Sequence, residues 1–229
     1  MHSVPPQSMV PLSYNPGEVT VYELGKKTKL YIFCGRLCYI SDIFVQAFRS
    51  GNEESFLEAQ QSMFDFFNGI PKCVIFDNAK IAVKEGFGIY AKPQARYLYF
   101  SAHYAFGLDF CNPAKGNEKG MVENLVSYAR RNFCVPVPRI NCIEEFNQKL
   151  WNNCLKYRES HKVESRQQQV FAQYPQELNH LRAIPLYRYD ASKTAIVRVD
   201  DYSTVKFEKT TTKYQQNIEP FSINWTLQS

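Results

Sequence analysis

The first clean periodicity along the chain is that of a strand. Glu18 to Leu24 (EVTVYEL) alternates apolar and polar positions, the period of two that sends successive side chains to opposite faces of a sheet. Gly25-Lys26-Lys27 reads as a turn, Lys29 to Tyr39 as a second, largely apolar strand, and Ile43 to Phe48 as a third. Short connections between them predict an antiparallel meander. The period then changes. After Ser50-Gly51-Asn52, the residues Phe56, Ala59, Met63 and Phe67 recur at helical spacing. Glu53 and Glu54 sit in the first turn, where the helix dipole favours negative charge, and Asn68-Gly69 followed by Pro71 ends the run. Lys72 to Asp77 (KCVIFD) is short, almost wholly apolar and ends in an acid. A buried central strand whose C-terminal end opens into a site has that look.

A second helix is predicted from Pro93 to about Phe106, a brief fifth strand over Leu108 to Cys111, and a third helix from Glu118 to about Phe133. The apolar stripe of the third is Val122, Leu125, Val126, Ala129 and Phe133. A fourth helix begins at Asn141, where the N-x-x-E run to Glu144 resembles a capping box, and its stripe is Ile143, Phe146, Leu150 and Cys154. Glu164 to Leu181 is polar, Gln-rich and helical in character, and alternation returns in Tyr187–Tyr189, Ala195–Val199 and Thr204–Phe207. The order βββ-α-β-α-β-α predicts an α/β fold: an RNase H-like mixed five-stranded sheet with flanking helices, plus a small C-terminal β, barrel-like module. The expected divisions are a flexible lead over 1–15, a core over 16–163, a helical linker over 164–184 and a partial β-barrel over 185–229.

Composition adds little to that picture. At 45% hydrophobic and 15% aromatic, 229 residues can bury a sizeable core, which excludes disorder except at the ends. The net charge of +5 suits a polyanionic partner without requiring one. Seven cysteines carry no C-x-x-C spacing and fall in apolar runs, so they read as reduced core thiols. The start has no signal-peptide h-region and no stretch approaches the ~20 apolar residues of a membrane span, so a soluble protein that stays inside the cell is expected.

Three acids lie where this topology converges: Glu23 in the first strand, Asp77 at the end of the fourth, and Glu123 in the first turns of the third helix. Taken singly each has a plainer reading, as a solvated strand residue, a turn or cap, and a dipole complement. Together, three carboxylates repel one another unless a hard divalent cation neutralises them, and Mg²⁺ prefers oxygen ligands of this kind. Two such ions roughly 3.5–4 Å apart serve in-line phosphodiester displacement. Lys115, Lys119, Arg130 and Arg131 flank Glu123 on one loop and helix, placed for phosphate contact or simply for a solvated helix face.

Asp77-Asn78 within GIPKCVIFDNAKIAV, the strand LYIFCGRLCYISDIFVQAF, and above all Gly116 to Glu123 (GNEKGMVE) resemble insertion-sequence transposases of the IstA type, in the DDE integrase superfamily. The last run matches the family pattern G-[HN]-E-K-G-x-V-E, with Glu123 as its third catalytic acid and Asn78 and Gly120 as supporting positions. The resemblance implies a catalytic core that cleaves DNA and transfers strands in transposition. It implies two Mg²⁺ ions (Mn²⁺ as substitute) on Glu23, Asp77 and Glu123. Transposon-end and target DNA, further copies of the chain and an ATPase helper are its implied partners, in a cytoplasmic, nucleoid-associated setting. Counting from Pro16-Gly17-Glu18 puts Glu23 where the family has Asp. Measured against the family, the chain reads as truncated: an N-terminal helix-turn-helix region is missing, and the sequence stops just inside the β-barrel. The alternative function is a non-catalytic remnant that binds DNA or oligomerises.

Overall fold

A computed structural model describes the backbone of residues 9–77, 83–85, 92–110, 116–163, 168–193, 204–207 and 210–213. It describes side chains for 18–75, 94–109, 125–162 and 168–193. The organising element is one long strand, β1 (Met9–Glu23). From Leu12 to Glu23 it pairs antiparallel, with an irregularity between Ser13 and Gly17, with β2 (Lys26–Arg36), which pairs antiparallel with β3 (Ile43–Phe48). Its first half pairs in parallel with β4 (Cys73–Asp77). The short strands β5 (Val83–Glu85) and β6 (Lys92–Pro93) pair only with each other, while β7 (Gly107–Phe110) adds in parallel to β4. The path β3-β2-β1-β4-β7, with β8 (Arg139–Ile140) pairing off β1, is the mixed RNase H-like sheet the sequence predicts.

One boundary moves in a way that matters. Residues 9–15, expected as flexible lead, are the start of β1 and supply its whole pairing with β4. Pro11 interrupts the alternation there, and proline reads against a strand. At the other end the chain reverses at Leu24 (φ 47) and Gly25 (φ 80). Positive φ at both central residues suits a two-residue hairpin, whose twist then matches that of its strands. Glu23 pairs with Lys26 directly across this turn.

Helix α1 (Glu53–Phe67) starts at Asn52, whose side chain accepts a hydrogen bond from Ser55 N at 2.9 Å, and ends at Asn68 in the left-handed conformation. Its Phe56 meets Phe33 of β2 (ring centroids 5.8 Å) and its Phe66 meets Phe44 of β3 (5.4 Å). Helix α2 (Ala95–Tyr104) adds Tyr97 and Phe100, both fully buried. Tyr97 Oη donates to Gln60 at 2.8 Å, so its polar tip is satisfied inside the core. Helix α3 (Gly116–Phe133) packs against β1 and β2, and α4 (Ile143–Ser160) covers β3. Asn147 of α4 accepts from Ala47 N (2.8 Å) and donates to Ala47 O (3.0 Å), closing the outer edge of β3 as another strand would. The cap of α4 differs by one residue from the expected box: Cys142 is the N-cap, and Glu145 rather than Glu144 reaches back to Asn141 N (3.1 Å).

The expected linker belongs to the core. Lys162–Val163 (β9) pairs with Gln168–Gln169 (β10), and α5 (Val170–Leu178) packs on α4. Tyr174 Oη donates to Phe67 O (3.0 Å), and the Arg158 guanidinium lies over its ring at 4.1 Å. Tyr187–Tyr189, expected as a strand, instead runs along α2, with Tyr187 O 2.9 Å from His103 Nε2 and Tyr189 N donating to Tyr104 Oη at 3.2 Å. The first compact unit therefore runs to Tyr189 and the second from Asp190. Within the second, Thr204–Phe207 (β11) and Thr210–Lys213 (β12) form a hairpin, while Ala195–Val199 lies outside the described residues. Among the described residues, no helix is long and apolar enough to cross a membrane.

Candidate nucleic-acid and metal site

Asp77 ends β4, the strand between β1 and β7. In a mixed sheet the C-terminal ends of parallel strands are where ligands approach. The register is explicit: Met9 to Ser13 run alongside Cys73 to Asp77, so the β1 residue level with Asp77 is Ser13. Glu23 lies ten residues further along the same strand. At about 3.3 Å per residue that is roughly 30 Å away, far beyond what one metal centre spans. The expectation that Glu23 joins Asp77 and Glu123 is therefore corrected. It failed because counting forward from Pro16-Gly17-Glu18 fixes a position along the strand but not which half of it meets β4. The signal available was the Met9–Ser13 run itself (MVPLS), largely apolar and masked by its proline.

Glu23 has another partner. Arg49, just beyond β3, donates Nη1 to Glu23 Oε2 (2.9 Å) and Nη2 to Oε1 (2.6 Å), a bidentate fork. The Arg49 hydrogen bonds hold the Glu23 carboxyl below its usual range. Around it, Tyr22 N donates to Pro138 O (2.8 Å) and Leu24 N to Ile140 O (3.0 Å), fastening β8 to this end of β1. The Glu23–Arg49 pair is a tie between sheet ends.

Glu123 lies inside α3, as the GNEKGMVE run requires, with Gly120 also within the helix. The described half of α3 buries Leu125 and Ala129 and exposes Arg130 and Arg131. It rests beside Cys34, whose thiol is pushed well above its ordinary range by burial and neighbours both Cys134 and Arg130. Cys34 pairs with Ser13. The helix bearing Glu123 thus lies over the strands that carry Ser13 and Cys34. Lys119 stands one turn before Glu123, and Arg130 about two turns, or roughly 10 Å, after it. Lys115 and Asn78 lie outside the described residues, as do the side chains of Asp77, Lys119 and Glu123.

One further acid was not anticipated. Asp109 of β7 pairs with Ile75 of β4 and is exposed. Strand spacing puts it about 8 Å from Asp77 in the backbone. It adds to the effect of burial in raising the Cys73 thiol. Among the described residues no group of three His, Cys, Asp or Glu is arranged to hold a metal ion, and no disulfide joins the described cysteines.

No protein-family model matches the chain. A transposase of Aminobacter aminovorans is 34% identical over 159 residues, 66% of this chain and 31% of that protein. The transposase for insertion sequence element IS21 of Pseudomonas aeruginosa is 29% identical over 184 residues, 79% of this chain and 46% of that protein. The chain thus spans less than half the length of these curated relatives. In fold, a chain of the simian T-cell lymphotropic virus intasome, solved by cryo-EM in complex with PP2A regulatory subunit B56 gamma, matches with a TM-score of 0.50 and 10% identity. The match covers 86% of this chain and 63% of that one. The chain is thus similar in sequence to transposases of insertion sequences such as IS21, and its 3-2-1-4-7 mixed α/β sheet is similar in fold to the intasome chain.

Proposed function

We propose that this chain is the core segment of a DNA transposase and engages the phosphodiester backbone of DNA ends at the C-terminal end of β4. The observation that carries the reading is Asp77 at the tip of a central parallel strand, with the Glu123-bearing helix lying over the neighbouring strands of an integrase-type sheet. Arg130 and Arg131, both exposed, and Lys119 and Lys115 upstream in the sequence supply positive charge for phosphate. Asn78, next to Asp77 in sequence, and Gly120 serve as supporting positions. A second copy of the chain and an ATPase helper are carried over from the family resemblance as further partners, with a nucleoid-associated setting in the cytoplasm.

The divalent ions that the resemblance implies would find Asp77 and Glu123, and bound there such ions would supply Lewis-acid stabilisation of a phosphodiester displacement. The chain's own residues meet that requirement only in part, since Ser13 rather than an acid stands level with Asp77. Phosphate binding by the basic residues needs no ion. The test is fluorescence anisotropy of a labelled duplex carrying insertion-sequence ends, in EDTA. The expected result is binding that weakens steeply with salt and becomes less salt-sensitive in Arg130→Ala/Arg131→Ala by about two phosphate contacts. A chain with no measurable affinity for duplex DNA at low salt defeats the proposal.

A further inference from the structure

We infer that this chain's carboxylate set is one short for a pair of divalent ions, because β1 presents Ser13, and two residues on Asn15, where the third carboxylate has to stand. The inference deepens the transposase reading and rests on it. β4 has two strand neighbours. On the β1 side, the stretch Met9 to Gly17 (MVPLSYNPG) contains no Asp or Glu. The first acid along β1, Glu18, is five residues beyond Ser13 and is ion-paired to Lys29 at 2.6 Å. The next, Glu23, is held by Arg49 at the opposite end of the strand. On the β7 side, Asp109 sits level with Ile75, two residues short of Asp77.

The hydroxyl of a serine and the carboxamide of an asparagine carry no charge to offer a cation. Affinity for hard cations follows the number of charged oxygens a rigid site offers. Two carboxylates against two divalent ions leave a larger uncompensated positive charge than three do. The unliganded fold gains from uncharged residues at 13 and 15, since the two carboxylates of Asp77 and Glu123 repel less than three would. This chain is thereby a DNA-binding core that keeps divalent ions weakly, and a single acid on β1 is what separates it from a complete set.

The test uses the full chain, with Mn²⁺ as the probe, by isothermal titration and by the metal-induced rise of the urea unfolding midpoint within each variant. Ser13→Asp or Asn15→Asp is expected to tighten Mn²⁺ binding by about tenfold or more. Adding Asp77→Asn to that variant is expected to remove the gain. Because the midpoint rise is read inside each variant, a destabilised Ser13→Asp still reports, and Asn15→Asp supplies the second arm. If neither acid tightens binding, the inference is overturned. It is equally overturned if the unaltered chain already binds Mn²⁺ tightly and loses it in Asp109→Asn, which would put the third carboxylate on β7. DNA affinity in EDTA is measured on the same proteins: its absence sinks the transposase reading and leaves the metal result to be judged alone.

Discussion

Replacing Arg158 by Met tests how α4 is held to the β2–β3 corner, α1 and α5. Asp42 is fully buried and Arg158 is 10% exposed at the side chain. Arg158 donates Nε to Asp42 Oδ2 (2.8 Å) and Nη2 to Phe66 O (3.1 Å), and its guanidinium lies 4.4 Å from the Phe66 ring centroid and 4.1 Å from that of Tyr174. One side chain thus joins α4 to the β2–β3 corner, α1 and α5. Met keeps most of the volume, so the loss is electrostatic. Removing one partner of a buried pair costs about 3–5 kcal/mol. Burial already raises the Asp42 carboxyl to about 6 against the pull of Arg158. Its folded value is above the ordinary unfolded one, so the stability it contributes is full at low pH and is lost as the pH rises through about 6. Without Arg158 the folded value climbs further, and Asp42 escapes part of the penalty by keeping a proton. The destabilisation by Arg158→Met should therefore be smaller at pH 5 than at pH 8, growing by up to about 1.4 kcal/mol per pH unit across the window. Urea unfolding followed by tryptophan fluorescence measures it, since Trp151 packs on Phe66 at 4.8 Å. A loss below about 1 kcal/mol at pH 8, or the same loss at both pH values, refutes the reasoning; so does an equal loss when Asp42→Asn is already present, because two residues in direct contact should couple.

Glu23→Gln should leave Mn²⁺ and DNA affinity unchanged and cost no more than about 1 kcal/mol of stability, the range of an exposed ion pair; a loss of metal binding would return Glu23 to the site. Its carboxyl is held low, so its small contribution is present at neutral pH and disappears as the pH falls through its folded value, which a urea series from pH 7 downward checks. Asn147→Leu strips both hydrogen bonds from Ala47 and leaves the edge of β3 without its cover, so a loss of about 1–3 kcal/mol and concentration-dependent association by light scattering are expected. An Asn147→Leu chain as stable and monomeric as the parent would show that α4 protects that edge by bulk alone.

The local patterns carried most of the elements. The short apolar run Ile43–Phe48 placed β3 to the residue, the Asn52 and Asn68 signals bracketed α1, and the GNEKGMVE run put Glu123 on a helix over the sheet. These are readable because periods of 2 and 3.6 and the capping chemistry are set by neighbours in sequence. What sequence could not decide was which residues meet across strands. The register that sets Ser13, and not Glu23, beside Asp77 depends on a parallel pairing between segments sixty residues apart, and a long strand offers both halves as candidates. Likewise the polar 164–184 stretch reads as a linker, and Tyr187–Tyr189 as a strand, until Tyr174 and Tyr189 find Phe67 O and Tyr104 Oη, partners supplied by helices far away in the chain. Secondary structure here is a local property of the sequence; the membership of the site is a property of strand register, and register is fixed by tertiary burial of the sheet's faces.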